Sequence, residues 1–268
     1  MSFRPRLGGM ALANGLLVHG PTHWAAATCD ADGTVRVGSG AKPRFARGRL
    51  ADVPILRGVL RMGEAVAVLP AMRHRMPSAR FAIQERSGYV GIAVALVTTV
   101  VARRRLSSPL AQEAVAAFAG LVPTLAALRG SHAARWHSVE HKSIAAYEAG
   151  GPEGVAYANR HPKEHPRCGS NLVLPMMVTT ATANALGRRL GTNAGVAGRV
   201  ATGAIGMGAA VELFAFAHRK PRNPVSRLVH GAGWALQAGF ATKEPHAGEM
   251  LVGRQAMAEL FRVEGIDD

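Results

Sequence analysis

The residues with chemistry to offer are concentrated between positions 136 and 171. This segment holds four of the eleven histidines, one of the two cysteines and both HxxEH patterns in the chain. The first is His137-Ser138-Val139-Glu140-His141, in a run that nothing interrupts from Ala133 to Ala149. On a helix, residues four apart share a face, so the two imidazoles can converge on one ion. Glu140 lies three positions after His137, on nearly the same face. That is the arrangement of the inverted zincins, in which two histidines bind a metal and a carboxylate activates a bound water. The blander reading is a polar helix end whose histidines are satisfied by hydrogen bonds.

The second pattern, His161-Pro162-Lys163-Glu164-His165, has the same letters and different physics. Pro162 and Pro166 push the preceding histidines away from helical angles, so residues 159–170 read as a structured loop. Within it, His165 and Cys168 offer an imidazole and a thiol three residues apart, a suitable pair for zinc. Alternatively, Cys168 is a nucleophile whose pKa is lowered by His165 or Arg167, or a buried structural cysteine before a helix from about Asn171. Glu148 lies seven residues after His141, close to two helical turns. It can supply a further metal oxygen or hold a ligand histidine through a hydrogen bond, and the Gly150-Gly151 pair after it marks a helix end.

The elements that must position these groups are partly legible. Residues 22–38 read as a β-hairpin turning at Asp30-Ala31-Asp32-Gly33. Residues 40–50 read as a basic loop. Residues 53–73 have helical character, with Pro70 expected to end or kink the helix. Residues 247–263 form an amphipathic pattern, with Met250, Leu251, Met257, Leu260 and Phe261 at helical spacing. Between them lie long stretches with no charge or one: 87–102, 106–128, 168–187, 200–217 and 228–242. A membrane-crossing helix needs about 20 apolar residues. None of the stretches is a strong span alone, because one is short and another is rich in Thr, Asn and Gly. Taken together they depart from a soluble domain, where charges are interspersed on each helix. Glu212 is the sole carboxylate between residues 165 and 243, and a functional residue if its helix is membrane-embedded. Basic clusters at Arg103–Arg105 and Arg188-Arg189 give a mixed orientation signal. No secretory signal is evident at the start of the chain.

Composition narrows the classes. The chain has 268 residues, 48% hydrophobic and 18% charged, which excludes disorder. Its formal net charge of +15 favours anionic surfaces. Aromatics make up only 5% and the basic residues are scattered, which argues against a nucleic-acid module built on stacking. Two cysteines, Cys29 and Cys168, cannot build a disulfide framework and fit a reducing compartment.

The motifs resemble those of the bacterial YqhQ-like family, domain of unknown function 1385. The resemblance runs through Gly8-Gly9 with Gly20-Pro21-Thr22-His23-Trp24, then Pro54-Ile55-Leu56-Arg57-Gly58. It continues in His137-Ser138-Val139-Glu140-His141-Lys142 with Tyr147-Glu148, in His165-Pro166-Arg167-Cys168-Gly169, and in Gln237 with Thr242-Lys243-Glu244-Pro245. The opening departs from the family pattern, with Ala13-Asn14-Gly15 where the family shows a Glu before Gly, and with no Gln after the paired glycines. The resemblance implies a metal-dependent enzyme and a multi-pass membrane protein, and no substrate.

The expected fold is mainly α, with about four membrane-embedded or membrane-adjacent helices and a small N-terminal β-hairpin element. Residues 1–86 would carry the hairpin and an apolar helix, and residues 87–268 the helical, membrane-associated domain. The expected site is His137, His141, His165 and Cys168 around a divalent ion, zinc by ligand type, with Glu140 as the catalytic base. Tyr147, Glu148 and Arg167 would support it or add a ligand. Four protein donors would close the site as a structural one, whereas three would leave a position for water. The expected functions are, in order, a metal-dependent membrane hydrolase of unknown small-molecule or peptide substrate, a non-catalytic membrane assembly or scaffold protein, and a soluble basic RNA-binding protein. Membrane lipids are the expected partners, at the cell membrane, with the site segment on the cytoplasmic side.

Overall fold

The structure, a computed structural model, describes residues 4–45, 48–129 and 132–266. Four strands, β1 (Gly8–Ala11), β2 (Gly15–His19), β3 (His23–Cys29) and β4 (Val35–Ala41), form one antiparallel sheet in chain order. The expected hairpin is β3–β4, pairing His23 with Ala41 and Cys29 with Val35. Its turn uses Gly33 at φ 86°, a conformation that glycine reaches without strain. Strands β1 and β2 come in addition to the expected element.

The described residues also form α1 (Leu56–Arg75), α2 (Arg86–Arg105), α3 (Pro109–Ala119), α4 (Val122–Leu128) and α5 (His132–Gly154). Then follow α6 (Val173–Arg189), α7 (Gly195–Arg219), α8 (Pro224–Leu236), a π-helical turn at Gln237–Ala241, and α9 (Ala247–Glu264). Helix α1 runs through Pro70 to Arg75, so the proline does not end it. Val66, whose carbonyl loses its helical donor to that proline, is an exposed residue, so water can satisfy it.

The sheet is covered on both faces. Leu16, Val18, Ala25 and Ala27 point to a core shared with Val139 and Tyr147 of α5 and with Met257 and Leu260 of α9. Leu17, Trp24 and Ala26, on the alternate face, pack with Val68 and Met72 of α1. This core joins elements from both sides of residue 86. Helices α5 and α9 meet closely at Gly253, where a Cβ would lie 2.3 Å from Val139 Cγ1. A further clamp comes from Glu264 at the end of α9. Its carboxylate accepts hydrogen bonds from the backbone N–H groups of Thr22 and His23, at 2.8 and 2.6 Å, and from the Thr22 hydroxyl at 2.7 Å. Helix α5, which carries HxxEH, is thereby held along its length.

The remaining helices correct one expectation. Among the described residues two helical stretches, not four, are long and apolar enough to cross a membrane: Pro109–Leu128, which comprises α3 and α4, and Gly195–Arg219. Helix α2 ends in Arg103-Arg104-Arg105, and α6 carries Thr and Asn along its length, so neither sustains the required hydropathy. Yet α2 does leave Tyr89, Val90, Leu96 and Val97 exposed, each by 55% or more, and α3 does the same with Leu110 and Phe118. Glu212 makes a bidentate ion pair with Arg57, at 2.6 and 2.5 Å, that ties α7 to α1.

Gly253→Ala should destabilise the protein by about 1–3 kcal/mol through overpacking against Val139. Chemical denaturation measures it, and the Gly253→Ala/Val139→Ala pair should lose less than the sum of the two single variants.

Candidate metal centre

Helix α5 places His137, Glu140 and His141 on one face, as the spacing predicts. The imidazole centroids of His137 and His141 are 4.2 Å apart. The loop after the short 3₁₀ segment Val155–Arg160 brings Cys168 to them, with Sγ 3.2 Å from His137 Nε2. One donor atom from each of His137, His141 and Cys168 lies within 4.8 Å of the other two. That scale suits donors that one ion bridges through bonds of about 2.0–2.3 Å.

The remaining ring nitrogens show how the two imidazoles are aimed. His137 Nδ1 donates to the carbonyl of Ala241 at 2.9 Å, and His141 Nδ1 donates to the carbonyl of Lys163 at 2.6 Å. Each bond fixes a tautomer whose Nε2 carries a lone pair, as in histidine ligands oriented by a backbone carbonyl. His141 Nε2 is buried and has no hydrogen-bond partner among the described residues. Leaving such an atom unserved costs about 1–3 kcal/mol, so it calls for a ligand. The donor set fits a metal ion on this observation.

Two side chains hold the loop. Buried Gln237 accepts from the His165 N–H through Oε1 at 2.7 Å and donates from Nε2 to the His165 carbonyl at 3.2 Å. Asn171 Nδ2 donates to the carbonyl of Pro166 at 2.8 Å. Asn171 fits only because residue 233 is glycine, since a Cβ there would lie 2.0 Å from Asn171 Oδ1. The π-helical turn starts at Gln237 and ends at Ala241, so one turn supplies both the loop clamp and the His137 acceptor. Lys142 adds a link, pairing with Glu244 at 2.6 Å and donating to the Asn159 carbonyl at 3.3 Å.

His165 stands apart from the three donors. Its Nδ1 accepts from the Arg167 N–H at 3.3 Å, and its Nε2 donates to Glu148 Oε2 at 3.3 Å. With both nitrogens committed, it offers no lone pair to the cluster. Glu148 is ion-paired with Arg167 as well, so Glu148 and Arg167 form a charged patch beside His165. Tyr147 faces the other way, buried against Phe261 with ring centroids 5.2 Å apart. Residues 161–164 form no helix, and His161 is extended at φ −87°, ψ 153°.

Glu140 is buried, with Oε2 3.9 Å from His137 Nε2. Its side chain lies against β1, where a Cβ on Gly9 would come within 2.8 Å of Glu140 Cγ. Gly9 therefore makes room for this carboxylate, while a Cβ on its neighbour Gly8 would meet the His19 ring. Burial pushes the Glu140 carboxyl up to about 8, against a smaller opposing effect of His137. Burial also holds His141 well below its ordinary value and raises the Cys168 thiol. His165 is lowered to about 4 by burial.

The sequence pattern carried no sign of the Ala241 carbonyl, the Lys163 carbonyl or the Asn171–Gly233 fit. Gln237 was visible as part of a motif, without its part in the site. The family model described as "Protein of unknown function (DUF1385)" matches residues 130–263, and the chain belongs to this family. The match spans α5 through nearly all of α9 and so contains His137, His141 and Cys168. Comparison with curated proteins and with solved structures gives no match.

Purified protein should carry about one equivalent of zinc per chain by elemental analysis, with four-coordinate chemistry favoured by the thiolate and imidazoles. His141→Ala should lose it, and His165→Ala should retain it. Equal metal content in all three proteins would contradict the assignment.

Proposed function

We propose that the protein is a metal-dependent hydrolase associated with a membrane. The observation that carries the reading is the buried, unpartnered Nε2 of His141, converging with His137 Nε2 and Cys168 Sγ. Two imidazoles and a thiolate favour zinc among common divalent ions. A zinc ion held there would act as a Lewis acid toward a carbonyl or phosphoryl oxygen and make water acidic near neutral pH.

The chain's own groups do the rest. Three protein donors are the usual complement of a catalytic zinc site, since a closed structural site takes four. His165 is occupied elsewhere, which favours the open form. Glu140 would be the general base: a cation held at the neighbouring donors would offset the burial that raises its carboxyl to about 8, leaving it ionised to take a proton from the attacking water and pass it to the leaving group. The Ala241 and Lys163 carbonyls keep the imidazoles oriented.

In the scaffold reading an ion or a polar network merely orders the 136–171 segment, and the hydrogen bonds of Gln237 and Asn171 to the 165–166 backbone would belong to that network. Exposed apolar faces on α2, α3 and α7 support membrane association over nucleic-acid binding. In this reading the site faces the cytoplasm, where a ligand thiol stays reduced.

Glu140→Gln should keep the metal and the fold while lowering hydrolysis of a responsive ester, amide or phosphodiester by about 10²–10⁴-fold. Undiminished turnover in that variant would remove Glu140 from the mechanism.

A further inference from the structure

The His/Glu/Cys cluster lies at the wall of a cavity of about 520 Å³. That is within the range of about 300–1,000 Å³ typical of small-molecule sites. Its walls are unlike one another. One carries His137, Glu140, Cys168 and Arg167. Much of the rest is hydrocarbon, including Met10 of β1, Ile83, Leu125 and Leu128 of α4, and Leu236 of α8.

The position of the mouth adds an independent constraint. Among the lining residues, Ile83, Thr124 and Gly169 are exposed; Ile83 and Thr124 open the apolar end of the cavity to the surface, and Gly169 lies beside Cys168 at the polar end. Thr124 belongs to Pro109–Leu128, one of the two stretches apolar enough to cross a membrane. Ile83 lies just before α2, whose Tyr89 and Val90 are 60% and 55% exposed. Phe118, six residues before Thr124, is 65% exposed. The apolar outer surface of the α2–α4 region therefore runs into the apolar wall of the cavity. A lipid chain entering from that surface gains about 25 cal/mol per Å² of apolar area buried.

We propose that the ligand of this site is a membrane amphiphile with a long hydrocarbon chain. The chain enters past Ile83 and Thr124 and lies along Leu125, Leu128 and Leu236. The polar head comes to rest at Glu140 and Cys168. This deepens the hydrolytic reading by naming its substrate class, and it rests on that reading only for what happens to the head.

The test is photolabelling of the full chain in phosphatidylcholine vesicles containing a long-chain fatty acid with a mid-chain diazirine. Labelled residues are located by peptide mass spectrometry. Met10, Leu125 and Leu236 should be labelled. Thr124→Trp, at an exposed position that leaves the core intact, should cut this labelling about tenfold, a shift of about 1.4 kcal/mol in occupancy. Labelling of outward-facing Phe118 should be unchanged and serves as the control for membrane contact. Labelling confined to Phe118 and other outer residues, cavity labelling that ignores Thr124→Trp, or no labelling at all would each overturn the proposal. The fatty-acid probe carries no bond for a hydrolase to cleave, so its labelling reads occupancy alone, and a failed hydrolase reading and a failed amphiphile reading give different results.

Discussion

One buried nitrogen constrains the whole arrangement. The imidazole of His141 donates its Nδ1 proton to the Lys163 carbonyl, so its Nε2 is left as an acceptor, and none of the described residues serves it. A fold that strands an acceptor in its interior loses about 1–3 kcal/mol of stability there. The surrounding structure is organised to keep that acceptor in place and aimed. Its neighbours are another imidazole with its Nε2 free of backbone bonds and a thiol at the head of a 3₁₀ segment. Cys168 Sγ and His137 Nε2 are within hydrogen-bond reach of each other, which leaves His141 Nε2 as the unserved member of the three; a metal ion bound there would recover the cost of assembling them.

Keeping the donors aimed falls to parts of the chain far apart in sequence. The sheet and α9 grip α5 from one side, with small residues such as Gly253 allowing close contact. From the other side, the 237–241 turn serves the Cys168 loop through Gln237 and His137 through Ala241. Ala241 is the last residue of this π-helical turn, so its carbonyl has no donor within the helix and is open to the His137 imidazole. The Lys142–Glu244 pair closes the same joint from the next residue along α5.

The sequence carried this site unevenly. His137, Glu140 and His141 were legible because a helical period fixes which residues share a face. Cys168 was legible as a ligand type near a helix start. The standing of His165 was not, because it turns on which partners its two nitrogens find, and Glu148 and the Arg167 N–H are set by tertiary packing. Strands β1 and β2 escaped notice for a related reason. Residues such as Leu16, Leu17 and Val18 are buried on both faces of the sheet, so no polar-apolar alternation marks them. The Asp-Gly turn of the outer hairpin is a local signal and was readable. The count of membrane-crossing stretches was overestimated because low charge alone does not give sufficient apolar length, as Thr-rich α6 shows.

The most direct test of the three-donor site is the electronic spectrum of the cobalt(II)-substituted protein. Cobalt(II) takes the same nitrogen and sulfur ligands, and a bound thiolate adds an intense near-ultraviolet charge-transfer band. The account predicts that band in the full chain, its loss in Cys168→Ser with visible d–d bands retained, and its persistence in His165→Ala. A cobalt protein with no thiolate band, or one whose band depends on His165 and not on His141, would contradict it.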